Sequence, residues 1–250
     1  MKTIRALAAI LMLVPAFALA VETDVKLDRA PVDPYDLVSL QRGAHAFVNY
    51  CLSCHSASYM RYNRLRDLGL TEEQIRDNLV LTGVKVGDLM KIAMDPQDAK
   101  EWFGTAPPDL TVIARSRSSH AGSGSDWLYT YLRTFYRDAA RPTGWNNLVY
   151  PNVGMPHVLW QLQGEQVLKE TKVQAEGYMK TVNKLVLEKP GQLKSVDYDQ
   201  LVADLVNYMT YMSEPARNDR VKFGLYALIV IFILIALAYA LKKEYWKDVH

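Results

Sequence analysis

The sequence predicts a mostly α protein, with long loops inside one domain and a single C-terminal transmembrane helix. Three features carry that expectation. Apolar residues recur at helical spacing in several short segments. Strand-type alternation is scarce. The two longest uncharged apolar runs lie at the two ends of the 250 residues. The chain is 50% hydrophobic with a net charge of +2, which fits neither a disordered nor a disulfide-rich protein and makes no case for a nucleic-acid partner.

The elements follow in order. Lys2 and Arg5 precede an apolar stretch from Ala6 to Leu19, and Ala18-Leu19-Ala20 supplies small residues where a signal peptidase cuts. Residues 1–20 therefore read as a signal peptide, and the chain beyond Val21 is expected outside a bacterial inner membrane, in the periplasm. Residues 21–36 are polar and punctuated by Pro31 and Pro34, as in an extended lead-in. From Asp36 to about Tyr50 a helix is predicted, since Leu37, Leu40, Ala44, Phe47 and Val48 share one face. A short helix over Leu70–Leu79 has Thr71 as its cap and Glu72 and Glu73 in its first turn. Val86–Ala93, Asp126–Arg137 and Asp197–Met212 are predicted helices too. Between them lie turn-rich stretches at Ala106–Asp109, Ser118–Ser125 and Arg141–Pro156. Long loops inside a compact domain need something to organise them, and a large prosthetic group would do so.

The last element is Phe223–Leu241, 19 residues without a charge. As a helix it reaches about 28 Å, close to the thickness of a hydrocarbon core. Three cations flank it on each side, Arg217, Arg220 and Lys222 before it and Lys242, Lys243 and Lys247 after it, so the positive-inside rule does not orient it. The signal peptide does: a domain over 21–221 is exported, a transmembrane helix over 222–242 stops transfer, and residues 243–250 stay in the cytoplasm. The formal charge of residues 21–221 is only −2, too small to mark a docking surface.

The chemistry sits in Cys51-Leu52-Ser53-Cys54-His55, the C-x-x-C-H pattern of c-type haem attachment. Two thiols at this spacing can each form a thioether to one haem vinyl group, and the adjacent histidine falls beneath the iron as proximal ligand. A thioredoxin-like dithiol and half of a zinc site are the rivals. Both suit a reducing cytosol rather than an exported segment, and the chain has only these 2 cysteines. The expectation is a cytochrome c-like haem domain carrying one covalent haem c.

A filled sixth position makes such an iron an electron carrier, and an open one lets small molecules bind. The methionines beyond residue 20 are Met60, Met90, Met94, Met155, Met179, Met209 and Met212. Met60 is too near His55 along the chain to reach the opposite face. Met209 and Met212 sit on the helix leading to the membrane, Met179 lies in a charged stretch, and Met90 has the spacing of a core residue. Met155 stands in the non-helical run Tyr150-Pro151-Asn152-Val153-Gly154-Met155-Pro156, which can hold a thioether against a metal. Met94, before Asp95-Pro96, is the rival ligand, and a methionine merely exposed on a loop is the other reading of Met155. His120 reads as a solvated loop residue.

With these residues identified, the chain resembles the cytochrome c1 family, the haem subunit of quinol–cytochrome c oxidoreductase, the bc1 complex. The resemblance rests on Gln41-Arg42-Gly43 ahead of Cys51–Ser56, on Ala106-Pro107-Pro108-Asp109-Leu110, on Arg115-Ser116-Arg117, on Val153-Gly154-Met155-Pro156, and on Glu214-Pro215, Arg220, Gly224, Tyr239 and Trp246. It departs from mitochondrial members at the serine-rich loop 118–124 and at His157-Val158-Leu159-Trp160. The resemblance implies that Cys51, Cys54, His55, Met155, Arg117 and Pro108 bind the haem, with His55 and Met155 on the iron and Arg117 at a propionate. It implies the redox subunit of an oxidoreductase, an electron carrier when isolated. Its donor would be a Rieske iron–sulfur protein, its acceptor a soluble cytochrome c or equivalent, and its membrane neighbour cytochrome b.

Overall fold

Asp36 starts the first helix, α1 (Leu37–Tyr50), by accepting a hydrogen bond from the Ser39 amide at 2.9 Å. The computed structural model describes residues 25–175 and 178–248, so the signal-peptide reading of residues 1–20 lies outside the described residues. After α1 come β1 (Ala57–Arg61), a 3₁₀ turn over Tyr62–Leu68, α2 (Glu72–Leu79), β2 (Leu89–Met90), α3 (Pro96–Phe103) and α4 (Ile113–Ser116). Then follow α5 (Gly124–Arg133), β3 (Phe135–Arg137), β4 (Trp145–Asn147), α6 (Trp160–Gln163), β5 (Gly164–Ala175), β6 (Tyr178–Pro190), α7 (Ser195–Ser213) and α8 (Arg217–Tyr245).

The core forms where α1 and α7 cross. Leu40, Ala44 and Phe47 face Val202, Leu205 and Tyr208, all fully buried, with the Phe47 and Tyr208 rings 5.5 Å apart. Burial of each large side chain here stabilises the fold by roughly 1.5–3 kcal/mol. The helices approach closely because position 43 is glycine: a Cβ there would lie 2.0 Å from the Asp204 carbonyl oxygen. At the same crossing the Arg42 guanidinium bonds both carboxylate oxygens of Asp204, at 2.5 and 3.0 Å, and the Asp204 side chain is only 4% exposed. An extended strap, residues 25–34, lies over α5 and α7. The Ala30 main-chain amide donates to Asp126 at 2.7 Å, and the Asn207 side-chain amide donates to the Asp33 carbonyl at 2.8 Å.

α2 and α5 both begin with capping boxes, Thr71 with Gln74 and Ser123 with Asp126. Ser123 starts α5 two residues before the expected loop ends, and that helix stops at Arg133, where the chain turns into β3. The predicted helix over Val86–Ala93 is instead a turn followed by β2, which pairs antiparallel with β1. Its apolar residues answer a neighbouring strand rather than a helical face. The scarcity of strand signals also misled. β5 and β6 form a long antiparallel hairpin, from Gly164↔Pro190 to Ala175↔Tyr178, within a sheet ordered β4-β3-β5-β6. None of the described residues of α8 is buried, and its length and apolarity suffice to cross a membrane.

Candidate functional site

The last turn of α1 runs directly into the C-x-x-C-H motif. The Cys51 amide donates to the Phe47 carbonyl at 2.9 Å, and the Cys54 and His55 amides both donate to the Cys51 carbonyl, at 3.1 and 2.9 Å. This tight turn puts both thiols and the imidazole on one wall of a cleft of about 390 Å³. Both cysteines are free and half-buried. Desolvation, reinforced by the neighbouring Cys54, pushes the Cys51 thiol up to about 12. That is the opposite of the depressed thiol of a catalytic dithiol.

His55 is oriented by the proline turn. Its Nδ1 lies 2.7 Å from the Pro108 carbonyl oxygen. A carbonyl only accepts, so Nδ1 carries the proton and Nε2 keeps its lone pair. Burial lowers the His55 pKa, against the smaller upward pull of the Pro108 bond and of Asp109, and favours the neutral ring. The turn is pinned in its own right. The Leu110 amide donates to the Ser56 carbonyl at 2.9 Å, and Asp109 accepts from the amides of Ser58 and Thr111 at 2.7 and 2.8 Å.

The other walls come from α5 and from the loop before α6. Trp127 and Tyr131, one helical turn apart, face the cleft together with Leu128 and Leu132. Arg117 reaches the same space with its guanidinium 4.6 Å from the Trp127 ring and 5.6 Å from the Tyr150 ring. No ion-pair partner faces Arg117 among the described residues. Arg115, the other member of the pair, does not line the cleft.

Met155 does line it, although it lies 100 residues along the chain from His55. Its sulfur accepts a hydrogen bond from the Tyr131 hydroxyl at 3.3 Å. The rival Met94 is not among the cleft residues. Met90 is fully buried in the core, with the Tyr208 hydroxyl 3.7 Å from its sulfur. Met209 borders the cleft from α7, where it is 3% exposed and packed into the core. Met179 lies in β6, and its side chain is outside the described ones. The structure thus gathers Cys51, Cys54, His55, Pro108, Arg117 and Met155 around one apolar space. His120 is exposed and does not line it.

Sequence reasoning missed what holds the Met155 loop. Gly154 has no left-handed backbone, and a Cβ there would make ordinary contact with Thr105 at 3.6 Å. The rigidity comes instead from asparagines. Asn152 takes the left-handed conformation, φ 63, and its amide donates to Asn146 Oδ1 at 2.8 Å. Arg141 clasps the Asn152 side-chain and main-chain oxygens at 3.2 and 3.0 Å, while Asn147 Oδ1 accepts from the Val149 and Tyr150 amides. The dipeptide Asn146-Asn147 in a turn-rich stretch was the available signal. His157, just past the loop, is buried against Phe135 with the rings 4.8 Å apart and stacked. Desolvation lowers it to about 4, outweighing the upward pull of Gln163, so it serves as a neutral aromatic of the core.

The residues fit a covalent haem: two free thiols on one wall, an imidazole with Nε2 available, a thioether on the same cleft, an unpaired guanidinium and an otherwise apolar lining. Among the described residues, no group of three or more His, Cys, Asp or Glu converges to hold a bare metal ion. Comparison with known proteins agrees. The Cytochrome C1 family model matches residues 28–90 and 85–249. A protein named cytochrome c1 from Allochromatium vinosum is 47% identical, over 98% of both chains. A Nitrosomonas europaea protein named ammonia monooxygenase gamma subunit is 49% identical over the whole of both chains. A cytochrome c1 from Rhodospirillum rubrum is 25% identical over 86% of this chain and 83% of its own. By its motifs, its apolar cleft and these matches, the chain belongs to the cytochrome c1 family and carries covalent haem c.

Proposed function

We propose that this chain takes electrons from a Rieske iron–sulfur protein and passes them to a soluble c-type cytochrome, as the haem subunit of a bc1 complex in a bacterial inner membrane. The observation that carries the proposal is the convergence of Cys51, Cys54, His55 and Met155 on one cleft. In this reading Cys51 and Cys54 would hold the haem by thioethers, and His55 and Met155 would ligate its iron. Haem c supplies a one-electron iron couple in this cleft. The Pro108 carbonyl fixes the His55 tautomer and ring orientation, as outer-shell acceptors do for metal-bound histidines. The thioether of Met155 is a soft donor that favours ferrous iron and raises the potential, which suits an acceptor downstream of quinol oxidation. Arg117, held between two aromatic faces, neutralises a propionate. Phe103 and Tyr150, 48% and 47% exposed at the mouth, leave the edge of the site open to a partner.

The domain over 21–221 lies in the periplasm in this proposal, residues 222–242 cross the bilayer beside cytochrome b, and 243–250 face the cytoplasm. Two variants test the site. Cys51→Ser with Cys54→Ser should abolish haem that survives denaturing electrophoresis. Met155→Leu should keep the covalent haem but open the iron to carbon monoxide and remove the weak far-red sulfur-to-iron band. A Met155→Leu protein with an unaltered spectrum would move the sixth ligand elsewhere.

A second reading is favoured by the name of the 49% identical Nitrosomonas protein. It makes the chain a subunit of an ammonia-oxidising complex, with the same haem site. Purification in mild detergent separates the two readings: cytochrome b and a Rieske protein should accompany the chain in the first, oxygenase subunits in the second.

A further inference from the structure

Tyr131 occupies an unusual place in the cleft. Its hydroxyl is 3.3 Å from the Met155 sulfur and makes no other hydrogen bond among the described residues. The ring that carries it has little freedom. One face stacks on Trp127, with centroids 4.8 Å apart and planes 13° apart, and Phe135 meets it nearly edge-on at 5.0 Å. Both neighbours are themselves anchored, Trp127 by the Arg117 guanidinium and Phe135 by the His157 ring. α5 aims the residue as well: Trp127 and Tyr131 are i and i+4, so the helix that sets one sets the other. A phenol placed for packing alone would not need its oxygen directed at a sulfur.

We propose that Tyr131 is a positioning and tuning residue for the haem couple, acting through a hydrogen bond to the axial sulfur. The inference rests on Met155 being the sixth ligand. A thioether sulfur has two lone pairs. With one given to the iron, the other would accept the Tyr131 hydrogen, and the hydroxyl would hold the sulfur in one orientation. The hydrogen bond also draws electron density from the sulfur, making it a weaker donor. Charge donation is the part of the sulfur bond that stabilises ferric iron, while the softness that favours ferrous iron is kept, so the hydrogen bond adds to the reduced state's advantage and raises the potential.

The test is Tyr131→Phe in the full-length, haem-loaded protein, which keeps the aromatic stack and removes one oxygen. Redox titration should show the iron equilibrium shifted toward the ferric state by about fivefold, or ~40 mV at 59 mV per tenfold for one electron. Haem should remain covalent and the far-red band should persist, shifted in position. Tyr131→Leu removes ring and oxygen together. A packing role alone predicts a wild-type potential in the phenylalanine variant and a disturbed one only in the leucine variant, and that pattern would overturn the inference. Met155→Leu run alongside keeps the two readings distinct. If it leaves the far-red band intact, the ligand assignment fails and the tuning role falls with it. If it removes the band while Tyr131→Phe changes nothing, the tuning role alone is wrong.

Discussion

At the scale of single residues, the Met155 loop depends on Asn146 more than on the glycine and proline that flank the sulfur. The Asn146 carboxamide accepts from the Asn147 and Asn152 amides and donates to Asp138, all within 2.9 Å, and it is buried. Asn146→Ala strands two main-chain donors, each costing about 1–3 kcal/mol where water cannot replace the partner. We expect a loss of about 2 kcal/mol in denaturant unfolding and a weakened far-red band in the folded protein. A variant with wild-type stability and spectrum would show that Arg141 alone holds the loop. The contrast marks the limit of sequence reading at this scale. Cys51, Cys54 and His55 declare themselves, because covalent attachment imposes a fixed spacing. Met155 was legible less directly, through a non-helical loop and a family pattern. Asn146, Arg141 and Tyr131 were not, because each acts on a partner brought near only by folding.

At the scale of elements, helices with clean caps and a single apolar face were legible to within a few residues. α1, α2 and α7 all lie where their patterns put them. Elements whose partners are distant were not. β2 is two residues long and exists only through β1, and the β5–β6 hairpin mixes Lys and Glu among its β-branched residues, hiding its alternation. The α1–α7 crossing offers the sharpest test here. Gly43→Ala improves helix propensity by about 1 kcal/mol, yet its methyl group would collide with the Asp204 carbonyl. Overpacking of this kind typically costs about 1–3 kcal/mol, and because the contact is backbone it does not relax by a rotamer change. We expect Gly43→Ala to lower the melting temperature by several degrees. Gly87→Ala is the control, since nothing lies within 4 Å of its added methyl. Equal melting temperatures for the two variants would mean that the helices slide apart at no cost.

At the scale of the whole molecule, we expect the haem domain and the last helix to be separable. The described residues of α8 contribute nothing to the core, and its twelve Leu, Ile, Val and Phe residues between 223 and 241 favour the bilayer by about 5 kcal/mol. Truncation before Phe223 should therefore release a soluble domain with covalent haem and unchanged thermal stability, while quinol-linked reduction is lost. A truncated domain that remains integral to the membrane, or that melts far below the parent, would refute this division. The crossing of α1 and α7 also sets an order of events. Arg42 and Asp204 are 162 residues apart in sequence, and Asp33 and Asn207 are 174 apart. Contacts of such separation form late and slowly. If the chain is exported from its N-terminus, Cys51 and Cys54 reach the far side of the membrane long before the helix that closes over α1. During that interval the attachment segment is an unfolded peptide, open to haem and to the enzymes that join the two. Maturation and folding are then consecutive rather than competing, with the order written into the position of the motif along the chain.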